Sequence, residues 1–200
     1  MSEETYPNSD ATATILLLGD SGCGKTTFLN LKKDNRGQGQ GTGAGEVFRD
    51  TDQPFLYNVR FTKKNLQIEF YDSSNPNQHW SMLQPNAIIL AFDISNRDTL
   101  DGLKAWRNDI TRFFQHGYGE KIPIMLLGLK RDLRVEGEGI IYPQESYRIA
   151  QELRCDRYAE CSAVTGELMA EAFEDIARLA GMAIFESELG RQDKGGCCIL

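Results

Sequence analysis

Residues 19–26, GDSGCGKT, have the composition and spacing of a loop that binds phosphate groups. They match the pattern G-x-x-x-x-G-K-[ST], and they lie between a strand-like apolar run and a helix-like run. Glycines in such a loop let backbone N–H groups approach anionic phosphates at the start of a helix. The predicted nucleotide-binding residues of this loop are Gly19, Asp20, Ser21, Gly22, Cys23, Gly24, Lys25, Thr26 and Thr27.

Three side chains in and near this loop suit a magnesium nucleotide. Lys25 can reach the β and γ phosphates, and the hydroxyl of Thr26 can occupy a coordination position on Mg²⁺. Asp72 ends a later apolar run, where a phosphate-handling protein would keep a carboxylate for magnesium, so Thr26 and Asp72 are the predicted metal ligands. A glycine-rich turn with a solvated lysine is the other interpretation, which the flanking strand and helix patterns disfavour.

The rest of the sequence predicts strands that alternate with helices. Short aliphatic runs are typical of buried strands, and apolar residues at every third or fourth position are typical of amphipathic helices. The predicted strands are residues 12–19, 54–61, 66–72, 87–93, 123–129 and 157–163, with a hairpin turn at 62–65. The predicted helices are residues 25–33, 97–115, 143–153 and 167–186. This order predicts an α/β three-layer sandwich with a mostly parallel six-stranded sheet and helices on both faces.

These elements form one predicted domain, residues 12–186, which suits a chain of 200 residues. Residues 1–11 are acidic and polar without an apolar run, so we predict disorder there and no secretory signal. Residues 187–200 are predicted to form a flexible tail. Glycines at 37, 39, 41, 43 and 45 predict a mobile loop.

Composition and charge exclude several classes of function. The chain has 29 acidic and 22 basic residues and a formal charge of -7, which argues against a nucleic-acid partner. It has five cysteines without CxxC spacing, which argues against a disulfide framework or a zinc site and for an intracellular protein. No apolar run approaches the ~20 residues that span a bilayer.

Three further segments indicate a family. Residues 126–134 read LLGLKRDLR, residues 158–163 read YAECSA, and the chain ends in CCIL. Together with the phosphate loop, these segments make the chain resemble Ras-superfamily small GTPases of the Rho family, particularly the fungal Rho-like proteins. The resemblance implies a P-loop NTPase-type fold that binds GTP or GDP with Mg²⁺.

The resemblance assigns the base contacts to the first two of these segments. Asp132 offers two acceptor oxygens for the paired N1–H and N2–H₂ donors of guanine, a pair that adenine lacks. The methylene stem of Lys130 can lie along the base while its ammonium stays in water. Ser162 and Ala163 form the second base contact, in which the Ala163 N–H meets the guanine carbonyl. Leu129 stands where the family usually has asparagine, so we expect weaker affinity with retained guanine preference.

Both switch segments depart from the family pattern. After Asp72, Asn75 occupies the usual glycine position and Pro76 the position of the glutamine that orients the attacking water. Proline has no amide side chain and no N–H, so Pro76 cannot orient water. Gln78 or His79 is a substitute only if the loop takes another path. In the first switch, Glu46 precedes Val-Phe where the family has threonine, with Thr42 and Thr51 as nearby alternatives.

The C-terminal sequence predicts a lipid anchor. A Cys-a-a-X ending with leucine last predicts geranylgeranylation of Cys197, and the neighbouring Cys198 is a second candidate for modification. A single lipid gives marginal, reversible attachment, so we expect the protein on the cytoplasmic face of a membrane, the plasma membrane by resemblance, with a cytosolic pool.

The resulting prediction is a Rho-like, membrane-attached signalling switch with weak intrinsic GTP hydrolysis. By resemblance, its partners are effectors, an exchange factor, a GTPase-activating protein and a GDI-like carrier, and its prenyl group contacts the membrane. Two alternatives stay open. One is a conventional cycling GTPase whose hydrolysis is supplied by other residues or by an activating protein. The other is a nucleotide-free module that acts through protein interactions.

Overall fold

A six-stranded sheet forms the centre of the protein in the computed structural model, which describes residues 10–34, 53–61, 64–73, 83–114, 121–137 and 139–192. The strands lie in the order β2-β3-β1-β4-β5-β6. Only the β2–β3 pair is antiparallel among these neighbours, and the other four pairs are parallel. The strands are β1 Ala11–Leu18, β2 Phe55–Phe61, β3 Lys64–Ser73, β4 Ala87–Asp93, β5 Ile124–Leu129 and β6 Arg157–Glu160.

Five α-helices connect and cover these strands in the described part of the chain. They are α1 Lys25–Asp34, α2 Arg97–Asp101, α3 Leu103–Phe114, α4 Pro143–Glu152 and α5 Met169–Gln192, and a 3₁₀ turn spans Arg131–Leu133.

Alternating side chains of the strands separate two hydrophobic cores. In β1, Ile15 and Leu17 join the core under α1 and α5, whereas Leu16 and Leu18 join the core under α2, α3 and α4. Successive side chains of a strand point to opposite faces, so a central strand covered on both sides must be apolar throughout. β4 and β5 show this pattern, since every residue in both strands is buried. The predicted mostly parallel α/β sandwich with helices on both faces is confirmed.

Several element boundaries differ from the predictions. The helix predicted for residues 97–115 is divided at Gly102, whose N–H donates to the carbonyls of Asp98 and Leu100 at the end of α2. The strand predicted for residues 157–163 ends at Glu160, since Ser162 instead accepts hydrogen bonds from the N–H groups of Thr165 and Gly166. β3 begins at Lys64, so it includes half of the predicted hairpin turn.

Two further differences concern the predicted ends of the domain. β1 begins at residue 11, because its first residue pairs with Leu66 of β3. Helix α5 continues through Gln192, six residues into the predicted flexible tail.

The parallel strands direct their carboxyl ends to one edge of the sheet. The phosphate loop follows β1, Asp72 is near the end of β3, Asp93 ends β4, and the segment containing Asp132 follows β5. Ligands of open α/β sheets bind at this edge. The fold therefore brings together residues that are far apart in the sequence.

Candidate nucleotide site

The phosphate loop packs tightly against the neighbouring strand β4. A Cβ atom at Gly19 would lie 2.2 Å from the carbonyl oxygen of Ala91, so only glycine fits there. Gly24 has φ +108°, which L side chains rarely adopt, and it lies at the start of α1. The close contact at Gly19 and the backbone angle at Gly24 explain why the loop needs glycine at its first position and just before the lysine.

Lys25 places a buried positive charge inside this loop. Its ammonium donates to the backbone carbonyls of Gly19 at 2.8 Å and Asp20 at 3.0 Å, and it lies 3.8 Å from Oδ1 of Asp72. The residue is 4% exposed. A charge in such a site acts through a lower dielectric than water, so it attracts phosphate oxygens more strongly than a surface lysine would.

The structure brings together Thr26 and Asp72, the two predicted metal ligands. The Thr26 hydroxyl donates to Oδ2 of Asp72 at 2.8 Å, although the two residues are 46 positions apart. The side-chain amide of Gln53 donates to the Asp72 carbonyl at 2.8 Å and supports this end of β3.

This pair of oxygen donors fits Mg²⁺. Mg²⁺ is usually held by one or two protein oxygen ligands together with waters and substrate phosphates. Within the residues that the structure describes, no group of three or more His, Cys, Asp or Glu side chains is placed to hold a metal. Thr26 and Asp72 would therefore hold the ion jointly with phosphate oxygens, and bound Mg²⁺ would neutralise phosphate charge.

Cys23 is a packed residue of the loop, not a nucleophile. It is buried, and its Sγ lies 3.8 Å from the Ala91 carbonyl oxygen and 3.9 Å from Nζ of Lys25. Burial raises the pKa of the Cys23 thiol, and the nearby ammonium only partly opposes this effect. The thiol is therefore neutral at physiological pH and does not compete with phosphate for Lys25.

The segment that contains Asp132 is hydrogen-bonded to the chain that follows β6. The buried Ser162 hydroxyl donates to Oδ1 of Asp132 and accepts from the N–H of Thr165 at 3.1 Å. The N–H of Arg131 donates to the Cys161 carbonyl at 3.2 Å. These bonds connect the two segments that the resemblance assigned to guanine.

Ala163 follows this anchor directly and is 8% exposed. Ala163 is the next residue after Ser162, whose hydroxyl contacts the Asp132 carboxylate. A carboxylate and a backbone N–H together suit the edge of the guanine base, which carries two hydrogen-bond donors and a carbonyl.

Lys130 differs from the prediction. Its ammonium was expected to stay in water, but it donates to the Gly22 carbonyl at 2.7 Å and to Oδ2 of Asp93 at 2.6 Å. Leu129 is buried and packs towards Gly24, where a Cβ atom would lie 3.7 Å from Cβ of Leu129. Leucine makes no side-chain hydrogen bond, so the hydrogen bond between this segment and the phosphate loop comes from Lys130 instead.

Sequence reasoning missed three groups around the site. The first is Asp93, which contacts Lys130. The second is Trp106, whose indole N–H donates to Oδ1 of Asp20 at 2.7 Å. The third is Arg134, whose guanidinium donates to both carboxylate oxygens of Glu160. A signal existed for Asp93, because it is the acidic residue that ends the apolar run of residues 87–93. A charged residue at the carboxyl end of a buried parallel strand lies where ligands bind.

Several predicted site residues lie outside the described residues. They are Pro76 and Gln78 of the second switch, Glu46, Thr42 and Thr51 of the first, and Cys197 at the C-terminus. The predictions for these residues therefore stay predictions.

Comparison with known proteins places the chain among nucleotide-binding relatives. The family model described as "Ras family" matches residues 14–181. The chain is 32% identical to mouse Ras-related protein Rab-37 over 178 residues, which cover 86% of this chain and 74% of the relative. It is 26% identical to GTP-binding protein RHO1 of Candida albicans over 203 residues, which cover 93% of this chain and 94% of the relative. It is 25% identical to human Rho-related GTP-binding protein RhoF over 203 residues, which cover 93% of this chain and 90% of the relative.

Among the residues described by the structure, no helix has both the length and the apolar character needed to cross a membrane.

Proposed function

The chain belongs to the Ras family of small GTPases, and on this premise we propose that it is a Rho-like switch that grips guanine nucleotide and Mg²⁺ but hydrolyses GTP slowly. The chain is a small GTP-binding protein of Ras/Rho type. The observation that carries the proposal is that the phosphate loop and the segment containing Asp132 form one site at the carboxyl ends of the parallel strands. Its phosphate end and its base end are joined by the hydrogen bond from Lys130 to the Gly22 carbonyl.

Guanine preference is supported by the pairing of Asp132 with Ser162. A carboxylate that is held by a buried hydroxyl has a fixed direction, so it can accept from the two donors of guanine without further ordering. Adenine would leave these acceptor oxygens unpaired, which costs free energy in a partly desolvated pocket. Binding of GTP or GDP therefore fits this end of the site better than binding of ATP.

Magnesium binding is supported by the contact between Thr26 and Asp72. Both groups are hard oxygen donors, and they adjoin the ammonium of Lys25, which attracts the phosphates. Mg²⁺ would complete its coordination with phosphate oxygens and water. The protein side chains would set the position of the ion.

Slow hydrolysis is proposed from the sequence of the second switch. Pro76 stands at the position of the water-orienting glutamine, and it can supply neither a side-chain amide nor an N–H. Phosphoryl transfer depends mainly on positioning and electrostatic stabilisation, so losing the group that orients water lowers the rate strongly. The groups that we assign to binding lie elsewhere, so affinity is retained.

A single-turnover experiment tests this proposal. Purified protein is loaded with GTP, and phosphate release is compared between the parent and the Pro76→Gln variant. We expect the variant to release phosphate faster by roughly 10-fold to 100-fold, because glutamine restores a group that can orient water. The affinity for GDP should be the same in both proteins.

A matched control separates this effect from a general effect of removing a proline. Pro143 is exposed at the first turn of α4, so Pro143→Gln should leave the rate of phosphate release unchanged. Release by the parent at the rate of an ordinary small GTPase would contradict slow hydrolysis and would favour a conventional cycling enzyme. The nucleotide that copurifies gives a second readout: GTP supports slow hydrolysis, GDP supports the cycling enzyme, and no nucleotide supports the interaction module.

Membrane attachment is the part of the proposal that rests on Cys197. Geranylgeranylation there would add an apolar chain and give reversible attachment to a cytoplasmic membrane face, with a cytosolic pool. Effectors, an exchange factor, an activating protein and a carrier that covers the lipid would then be the partners. The mass of the native C-terminus, compared with that of a Cys197→Ser variant, tests the modification directly.

A further inference from the structure

One acidic residue outside the phosphate loop and the base segment contacts the residue that joins them. Asp93 ends β4, and its Oδ2 lies 2.6 Å from the ammonium of Lys130. The same ammonium donates to the Gly22 carbonyl at 2.7 Å. A chain of two charge-assisted hydrogen bonds therefore runs from the end of β4 through Lys130 to the phosphate loop.

Local hydrogen bonds hold the Asp93 carboxylate in a fixed direction. Its Oδ1 accepts from the N–H of Ser95 at 2.8 Å and from the Ser95 hydroxyl at 2.6 Å. Its own N–H donates to the Thr99 hydroxyl at 2.9 Å. Asp93 is 6% exposed, so neighbouring atoms restrict its rotamers. One carboxylate oxygen is used locally, and the other is directed at Lys130.

Lys130 needs such a partner more than a typical surface lysine does. Its backbone is left-handed, with φ 60°, and its side chain crosses the phosphate loop close to Gly24. A Cβ atom at Gly24 would lie 3.4 Å from Cε of Lys130, an ordinary van der Waals distance, so the lysine stem packs directly against the loop. The side chain is 32% exposed, and without a fixed anion its ammonium would exchange between the loop and water.

The residue before Lys130 increases this dependence. Leu129 is 1% exposed and apolar, so it contributes packing but no hydrogen bond to the loop. Asparagine at this position would offer an amide that could bond the loop backbone. Here the polar connection passes through Lys130, and the charge that fixes Lys130 comes from β4.

We infer that Asp93 is a positioning residue of the nucleotide site, which holds Lys130 against the Gly22 carbonyl and thereby sets the affinity for guanine nucleotides. The role rests on the proposed nucleotide binding and extends it to a residue of β4. Because Lys130 bridges the loop and the base segment, its position affects GDP and GTP equally. Both bonds of the ammonium go to protein groups, the Gly22 carbonyl and the Asp93 carboxylate.

The Asp93→Asn variant tests this role with little change in shape. The side-chain amide keeps an oxygen that can accept from Ser95, but it loses the negative charge that holds Lys130. We expect the affinity for fluorescent GDP and for a non-hydrolysable fluorescent GTP analogue to fall by the same factor, roughly 10-fold to 100-fold. Thermal unfolding of the variants in the absence of nucleotide reports any loss of folding.

Asp156→Asn is the matched control. Oδ1 of Asp156 also lies 2.7 Å from a lysine ammonium, that of Lys121, and its Oδ2 also accepts a backbone N–H, that of Ile124 at 2.9 Å. This pair lies at the amino end of β5, the opposite edge of the sheet from the nucleotide site. We expect its affinity for GDP to equal that of the parent.

A double-mutant cycle with Lys130→Met separates positioning from a general structural effect. If Asp93 acts through Lys130, Asp93→Asn causes little further loss once Lys130 is methionine. Additive losses in the double variant would overturn the inference, and so would a parent-like affinity in Asp93→Asn. Failure of the parent to retain either nucleotide would instead refute the proposed function, and the positioning role with it.

Discussion

Replacing Ser162 with alanine tests how the base end of the site is organised. Ser162 is fully buried, and its hydroxyl both donates to Oδ1 of Asp132 and accepts from the N–H of Thr165. Ser162→Ala removes both bonds without adding atoms. The Asp132 carboxylate then loses a donor that fixes its direction, and the Thr165 N–H loses its acceptor.

The expected magnitude follows from the kind of hydrogen bond. A hydrogen bond to a charged group contributes about 1.5–3 kcal/mol, which corresponds to roughly a 10-fold to 150-fold change in Kd. Asp132 is half-buried, so water replaces part of the lost interaction, and we expect the lower end of this range. GDP and GTP should lose affinity equally, because the contact is at the base.

The assay is titration of a fluorescent GDP, followed by competition with unlabelled GDP, GTP and ADP. Ser146→Ala is the control, because Ser146 is also fully buried but lies in α4, where its hydroxyl donates to the Tyr142 carbonyl at 3.4 Å. The control should retain the parent affinity even if its unfolding temperature falls. A Ser162→Ala protein that binds GDP as tightly as the parent would refute the view that Ser162 orients Asp132.

Two further outcomes are expected. Thr26→Val should weaken the dependence of GDP affinity on Mg²⁺ and lower the affinity at saturating Mg²⁺ by about 10-fold, because Asp72 and the phosphates remain to hold the ion. The exposed Thr111→Val should leave both quantities unchanged. Equal Mg²⁺ dependence in the parent and Thr26→Val would contradict the assigned ligand. Burial raises the pKa of Cys155 and Cys161 from 9.0 to about 12. As pH rises, the unfolded chain therefore loses these protons before the folded protein does. The free energy of unfolding should fall as pH rises above 9.0. Urea midpoints at pH 8 and pH 10 measure this fall, which should be smaller in Cys161→Ala; an equal fall would contradict the assignment.

The parts of the site that could be predicted from sequence are those encoded by neighbouring residues. The phosphate loop is a continuous motif between a strand pattern and a helix pattern, so Lys25 and Thr26 could be assigned directly. The fold class followed from the alternation of buried strands with amphipathic helices. Both features depend on local periodicity and spacing, which a single sequence contains.

Contacts between distant segments could not be predicted in the same way. The ammonium of Lys130 was expected in water, because its two partners are 37 and 108 positions away and meet it only when β1, β4 and β5 lie side by side. The bond from Trp106 to Asp20 spans 86 positions, and a tryptophan at helical spacing indicates only a core contact. The sequence indicates which residues end each strand, but the sheet order determines which of them meet.

This division between local and distant contacts has a mechanistic consequence. The residues that we assign to gripping the nucleotide lie at the ends of buried strands and are supported by hydrogen bonds from other elements, as with Asp132 and Ser162. By the family resemblance, the water-orienting residue is specified by one position, which Pro76 occupies in the sequence. In the sequence, that position is separate from the residues that we assign to gripping the nucleotide. Hydrolysis can therefore be lost while affinity is kept, whereas a change at Asp93 or Ser162 weakens GDP and GTP together. Measuring both nucleotides on each variant separates the two kinds of effect.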